Sequence, residues 1–422
     1  MADLRVSLPG FASKFRRALI LDNNSEYFQG LNYNDYDLIA GFSDARPELE
    51  ITNFQQLSYI NIENADWYLG YIGYDNKNNI ENLYSSNQDY QLWPGLFFFK
   101  PQILLLLRKN VIEIFVSDEV QGYKNIFSDI LKCNASVGNV PDLRLKERIS
   151  RDDYLYKAGK LMEHIKKGNI YEVNFCMEFY DEVFIDPSIT YYHLNKRSPA
   201  PFSAFLKIDE HNLICASPER FLKHSDGLII SQPMKGTAPR GDPSLSDRLQ
   251  KEKLFSNPKE FSENIMITDL VRNDLSKIAL KNSVKVEDLC GIYTFPQVLQ
   301  MVSTISAKTR NVSFGEIIKA LFPMGSMTGA PKISAMELIE KYETVKRGIY
   351  SGCVGYIAPG MNFDFNVVIR SLQYNEDNRY LSYMTGSALT ALSDINQEYE
   401  ECLLKNYAFK LLYAQNDALR IS

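Results

Sequence analysis

The sequence predicts a chain that mixes β-strands and α-helices in a large globular fold. Three observations lead there. Residues 1 to about 140 alternate short strand-like runs with turns rich in Asn, Asp and Gly. Helical spacing then sets in at Ser150. From there to the C-terminus, strand-like and helix-like segments alternate.

In the first region the strand-like runs include Asp66–Tyr74, Gly95–Phe99 and Gln102–Leu107. Asn134 to Pro141 reads as a linker, dividing an N-terminal region of residues 1–140 from a second region of 150–422. Ser150 is placed to cap a helix, with Asp152 and Asp153 in its first turn, Tyr154, Ala158, Leu161 and Ile165 on one face, and Gly168 at its end. The apolar run Leu228-Ile-Ile230 leads into Pro233-Met-Lys-Gly-Thr237, so Lys235 is expected where a strand breaks into a turn. Pro258 to Ile278 reads as a helix whose apolar residues lie all round it, and hence as largely buried. Phe322 to Lys332 is a glycine-rich loop running into a helix, with Pro331 at its first position. Phe363 to Leu372 reads as one strand: Phe363, Phe365, Val367 and Ile369 share a face, and Asp364, Asn366 and Arg370 share the other. A turn at Asn375–Arg379 leads to a strand from Tyr380 to Met384. The last helix carries Glu398, Glu401 and Lys405 on one side, with Phe409 and Leu412 near it. Leu69-Gly-Tyr-Ile-Gly-Tyr74 and Cys353-Val-Gly-Tyr-Ile357 echo one another and hint at related halves.

Composition narrows the function classes. At 422 residues the chain is long enough for one to three domains. Its 46 basic and 52 acidic residues give a net charge of −6, which argues against a nucleic-acid binder driven by phosphate neutralisation. No apolar run is long enough to span a membrane, and Met-Ala-Asp-Leu-Arg-Val lacks the order of a signal peptide, so a cytoplasmic protein is expected. Cys133, Cys176, Cys215, Cys290, Cys353 and Cys402 are scattered, as are His164, His193, His211 and His224, which suits reduced thiols rather than a disulfide or zinc framework.

Four features carry chemistry. Lys235 in its turn is either a solvated charge or, held in a cleft, a nucleophile whose pKa is lowered by burial or a nearby cation. Glu260 and Glu263 lie on one helix face, and so do Glu398 and Glu401. With no histidine beside them, four carboxylates suit a hard cation such as Mg²⁺; the alternative is solvated pairs with Glu401–Lys405 as an ordinary helix contact. The loop at 322–332 offers either free N–H groups for an anion or a plain helix cap; it lacks P-loop spacing. Arg370 in mid-strand calls for a buried anion, either a ligand carboxylate or Asp364. Tyr356 and the turn Thr385-Gly-Ser-Ala388 are candidate donors beside it.

Together these segments resemble the chorismate-utilising enzymes. The matching stretches are Gly168–Asn174, Ala216–Phe221, Pro233–Thr237, Ser262–Met266 with Asp269–Asp274, Phe322–Ser326 with Gly329–Lys332, Gly348–Gly352 and Glu398–Glu401, in family order. The resemblance implies an α+β fold of two large, mostly antiparallel sheets packed face to face with outer helices. Lysine rather than alanine before Gly236-Thr237 is similar to component I of aminodeoxychorismate synthase. That implies amination of chorismate at C4 to 4-amino-4-deoxychorismate, toward p-aminobenzoate and folate. Lys235 would attack C2 as the C4 hydroxyl leaves, and Glu219 would be the general acid. Glu263 and Glu401 would hold Mg²⁺, with Glu260 and Glu398 close behind. Arg370, Tyr356, Thr237, Lys405 and the backbone at Gly386 would position the substrate's carboxylates. No glutaminase portion is evident, so a separate amidotransferase subunit is expected to supply ammonia, and a separate lyase to release pyruvate.

This sequence departs from the family pattern at three places. Glu172 stands where ammonia-using members usually carry glutamine and isochorismate makers carry lysine; either it guides ammonia or takes a proton, or it is a strand-edge substitution without mechanistic meaning. Gln300 replaces a histidine linked in anthranilate synthase to pyruvate elimination. Leu21-Asp-Asn-Asn-Ser25 matches that enzyme's tryptophan-binding element poorly, so strong tryptophan feedback is not expected. The competing readings are anthranilate synthase component I, an isochorismate or salicylate synthase, and a non-catalytic chorismate-binding subunit.

Overall fold

The computed structural model describes residues 2–406 apart from 29–32, 45–47, 49, 119, 121–124, 134–137, 139, 142, 241–245 and 296–297. Most of the expected linker, and Phe409 and Leu412, lie outside the described residues.

Two antiparallel sheets make up the fold. The first has 11 strands, ten of them running from Gly329–Ala330 at one edge through Glu172–Glu182, Tyr380–Thr390, Ser371–Asn375, His211–Ser217, Phe202–Ile208, Arg17–Asp22, Leu38–Ser43 and Ile103–Arg108 to Val111–Val116, with Lys146–Glu147 paired to Glu172–Glu182 off this path. The second has 10, nine of them from Met234–Pro239 through Val298–Lys308, Leu228–Gln232, Arg220–Ser225, Asn362–Asn366, Cys353–Ala358, Tyr68–Ile72 and Leu96–Phe99 to Glu50–Ile51, with Lys285–Thr294 paired to Val298–Lys308 off this path. The two echoing segments are neighbours in this sheet, with Gly70 opposite Gly355.

Strand periodicity explains the layering. In Arg17–Asp22, Leu19 enters a core between the sheets, while Ala18 and Ile20 face the opposite way, onto helices. Ile103–Arg108 divides likewise, Leu104 and Leu106 inward and Ile103, Leu105 and Leu107 outward. Alternation at period two lets one strand serve two cores. The helix Arg151–Lys166 is capped by Ser150 as expected and buries Tyr154, Ala158, Leu161 and Ile165 against the first sheet. The helix Pro258–Ser276 covers the second sheet through Ile267, Val271 and Leu275. It is amphipathic rather than buried all round: Asp269, Arg272 and Asn273 face water.

The strand expected at Phe363–Leu372 is in fact two. Asn362–Asn366 belongs to the second sheet and Ser371–Asn375 to the first, and Arg370 between them has φ 49°. Unbroken alternation across that stretch concealed a change of sheet. A second crossover runs from His211–Ser217 to Arg220–Ser225 through Glu219. The crossovers lie side by side, joined by Val367 N–H to Glu219 O at 3.0 Å and Ala216 N–H to Arg370 O at 3.1 Å.

A buried arginine braces this seam. Arg347 donates to Glu343 Oε2 and Oε1 at 2.9 and 2.6 Å, to Met327 O at 2.7 Å and to Asn174 O at 2.9 Å. Glu343 Oε1 also accepts Cys176 N–H at 2.9 Å. Arg347→Met should therefore cost about 3–5 kcal/mol in urea unfolding, since it strands the Glu343 carboxylate. Arg347→Met with Glu343→Leu should recover much of that loss.

Candidate active site

Lys235 lies in a strand, not a turn. Met234–Pro239 is the edge strand of the second sheet, and its register on Val298–Lys308 shifts between Met234 and Thr237. Pro233 and Gly236 read as turn residues in sequence; in the structure they flank a bulge, with Gly236 at φ 88°. The Lys235 ammonium meets Glu172 Oε1 at 2.9 Å. Glu172 is fully buried in the first sheet, between Ala330 and Thr390, so it is not the strand-edge residue that the sequence allowed.

The carboxylates come from both helices. Asn257 caps the helix Pro258–Ser276, which places Glu260 and Glu263 in its first two turns. Glu263 is buried, and Glu260 packs beside Gly236, where a Cβ would come within 3.1 Å of Glu260 Oε2. Asp394 caps the helix Ile395–Lys405, which buries Glu398. Glu401 pairs with Lys405 at 2.6 Å, and the Lys405 ammonium also donates to Gly386 O at 2.8 Å. Lys259 reaches Glu398 Oε1 at 2.5 Å and stands 3.8 Å from Glu263 Oε1.

Burial governs the protonation of this cluster. It pushes Glu263 up to about 8 against the pull of Lys235, and raises Glu260 as well. Burial pulls Lys235 down, but Glu172, Glu263 and Glu219 outweigh it and hold the ammonium above the ordinary lysine value. The sequence expectation of a lowered lysine pKa is thus reversed, because three acids surround the amine. Glu401 is drawn below the usual carboxylate range, Lys405 overcoming the effect of burial.

Glu219 sits at its crossover with its carboxylate accepting the Ser326 hydroxyl at 2.7 Å. Burial lifts it to about 7, with Ser326 and Lys235 acting the other way. Ser326 comes from the glycine-rich loop. That loop is built differently from the expectation: Gly329–Ala330 pairs with Val173 and Glu172, Pro331 is the cap, and the helix begins at Lys332. Lys332 is tied to Asp274 at 2.5 Å.

Arg370 occupies the neighbouring crossover. Burial lowers its pKa, and among the described residues no carboxylate pairs with it. Asp364 instead accepts both arms of Arg220, each at 2.9 Å. Gly386 faces Cys176, whose Sγ would lie 2.5 Å from a Cβ there.

One expected substrate contact, Tyr356, is not brought to Lys235. Tyr356 points into a separate cleft with Asp22, Asn34, Asp35 and Phe202, stacked on Trp67. Leu21 and Asn23 line this same cleft. Thr237 is exposed and donates its hydroxyl to Gln300 at 2.8 Å, while Gln300 donates to Gly236 O and braces the bulge. Two residues were missed. Tyr350 is buried beside Cys176, and so next to Gly386; its signal was the Gly348–Gly352 motif that frames it. Lys259 gave no sequence signal, because its partner Glu398 lies 139 residues away.

Among the described residues no three His, Cys, Asp or Glu side chains converge as a ready cage for a metal. The donor set still suits a hard cation. It offers only oxygen ligands, and Glu263 Oε1 and Glu398 Oε2 are buried without a hydrogen-bond partner. Among the described residues no helix is long and apolar enough to cross a membrane.

Comparison with known proteins agrees with this arrangement. The family model for chorismate binding enzymes matches residues 17–410. Aminodeoxychorismate synthase of Arabidopsis thaliana, a chloroplastic protein, is 40% identical over 266 residues, covering 61% of this chain and 28% of that protein. Aminodeoxychorismate synthase component 1 of Klebsiella aerogenes is 37% identical over 257 residues, 61% of this chain and 56% of that one. The chain thus matches about half the length of the bacterial relative and under a third of the plant one. Anthranilate synthase component I of Streptococcus pneumoniae superposes with a TM-score of 0.72 at 22% identity, over 92% of this chain and 88% of that one. Sequence match and two-sheet architecture together establish that this chain belongs to the family of chorismate binding enzymes.

Proposed function

We propose that this protein aminates chorismate at C4 to give 4-amino-4-deoxychorismate. The observation that carries the reading is the bulge that delivers the Lys235 amine among Glu172, Glu263 and Glu219. The names of the relatives reported above support it. The word "component" in the name of the Klebsiella aerogenes relative supports a second subunit, and an amidotransferase that supplies ammonia is the partner the reaction needs.

The Lys235 ammonium must first lose a proton, and Glu172, 2.9 Å away, is placed to take it. The neutral amine then attacks C2. The ring double bonds shift, and the C4 oxygen leaves as water with the proton of Glu219, which Ser326 orients. Ammonia adds at C4 and expels the lysine from C2, and the Glu219 carboxylate receives the proton that the new C4 ammonium releases. Arg370, which no carboxylate pairs among the described residues, and Lys405, at the Gly386 backbone, would hold the substrate's carboxylates. Glu263 and Glu401, with Glu260 and Glu398 behind them, would hold Mg²⁺. When bound, the ion would supply positive charge for the ring carboxylate of chorismate.

Incubation with chorismate, Mg²⁺ and ammonium salts should yield p-aminobenzoate only when a pyruvate-releasing lyase is added. Fluorescent anthranilate formed without lyase would assign the chain to the competing activity instead. Lys235→Ala should lose most amination while binding chorismate with near-normal affinity by calorimetry; normal turnover by this variant would remove the covalent role. The pH profile should also report Glu219. A general acid must be protonated, so kcat should fall as pH rises through about 7. Glu219→Gln should abolish turnover across the range while retaining substrate affinity.

A further inference from the structure

Lys259 belongs to none of the roles assigned so far. It is the second residue of the helix Pro258–Ser276, where Asn257 Oδ1 accepts its N–H at 3.0 Å. Its side chain leaves this helix and bonds the other: the ammonium is 2.5 Å from Glu398 Oε1 and 3.8 Å from Glu263 Oε1. One positive charge therefore spans the two helices at the place where both present carboxylates. Each of those carboxylates keeps a buried oxygen without a hydrogen-bond partner, Glu263 Oε1 and Glu398 Oε2. Of the other two lysines, Lys235 pairs with Glu172 and acts on Glu263 only through its charge, and Lys405 is held by Glu401 and Gly386.

We propose that Lys259 is a resident cation between Glu263 and Glu398, and that a divalent ion must displace it to bind there. This rests on reading the four carboxylates as a metal site. An ammonium and a divalent cation cannot share these oxygens, since like charges repel strongly in a partly buried site. Lysine suits displacement. Its flexible stem carries a compact charge, and the side chain is still about a quarter exposed, with solvent within reach. Lys259 then does two things. It offsets part of the negative charge of the two helices before metal arrives, and it lowers the apparent metal affinity by competing for the same carboxylates.

Titration calorimetry of Mg²⁺ alone into the full chain, without chorismate, tests this. Lys259→Met should bind Mg²⁺ about tenfold more tightly than the wild type, roughly 1.4 kcal/mol. Lys259→Arg, which keeps the charge, should stay near the wild-type affinity. Equal or weaker binding by Lys259→Met would overturn the proposal and leave Lys259 a permanent cross-link. Wild-type protein gives a second readout that needs no variant. Acylation of Lys259 by an amine-reactive ester, followed by mass spectrometry, should rise severalfold on adding Mg²⁺. Unchanged or lower labelling while Mg²⁺ binds would sink the displacement alone. If neither wild type nor Lys259→Met binds Mg²⁺, the metal site itself falls with it.

Discussion

One ion pair joins the two halves of this molecule where its chemistry is concentrated. Lys235 comes from the edge strand of one sheet and Glu172 from the interior of the other, and they meet at 2.9 Å. A buried pair of this kind stabilises little by itself, because desolvating two charges costs about as much as their attraction returns. Its value here is positional. It requires the bulge at Gly236, and the bulge in turn requires Gln300 to hold Gly236 O and the Pro258 helix to pack against Gly236 through Glu260.

The seam between the sheets supplies the remaining parts. Two of the places where the chain changes sheet lie side by side, one carrying Glu219 and the other Arg370. Crossover backbone leaves the ladder, so its side chains project along the seam instead of into either core. Arg347 fixes the same region from behind, holding Asn174 of the Glu172 strand and Met327 beside Ser326 in one network with Glu343. The hydroxyl that orients Glu219 is thus braced by the strand that carries Glu172.

Charge balance connects this architecture to reactivity. Six carboxylates (Glu172, Glu219, Glu260, Glu263, Glu398 and Glu401) face three lysines (Lys235, Lys259 and Lys405). Burial lifts Glu219 to about 7, and burial with the neighbouring acids lifts Glu263 to about 8, while the same acids hold the Lys235 ammonium above the ordinary lysine value. A nucleophilic lysine is usually explained by a lowered pKa. In the proposed reaction, the same acids that keep Lys235 protonated also include the base, so the cluster would store the proton rather than expel it.

By itself the sequence determined the ingredients. The capped helix at Ser150, the paired glutamates on two helices, the lysine before Gly236 and the ordered motifs were all legible, because each depends on neighbours within a few residues. The crossovers were not. Phe363 to Ser371 alternates as one strand would, and only long-range pairing decides that its two ends belong to different sheets. The same limit misplaced Tyr356 into the site and hid Tyr350 and Lys259. Facing is set by which sheet a strand joins, and Lys259 finds its partner across 139 residues. The raised pKa values of Glu219 and Lys235 likewise belong to the tertiary structure: burial raises the first, and acids that the chain brings together only on folding raise the second.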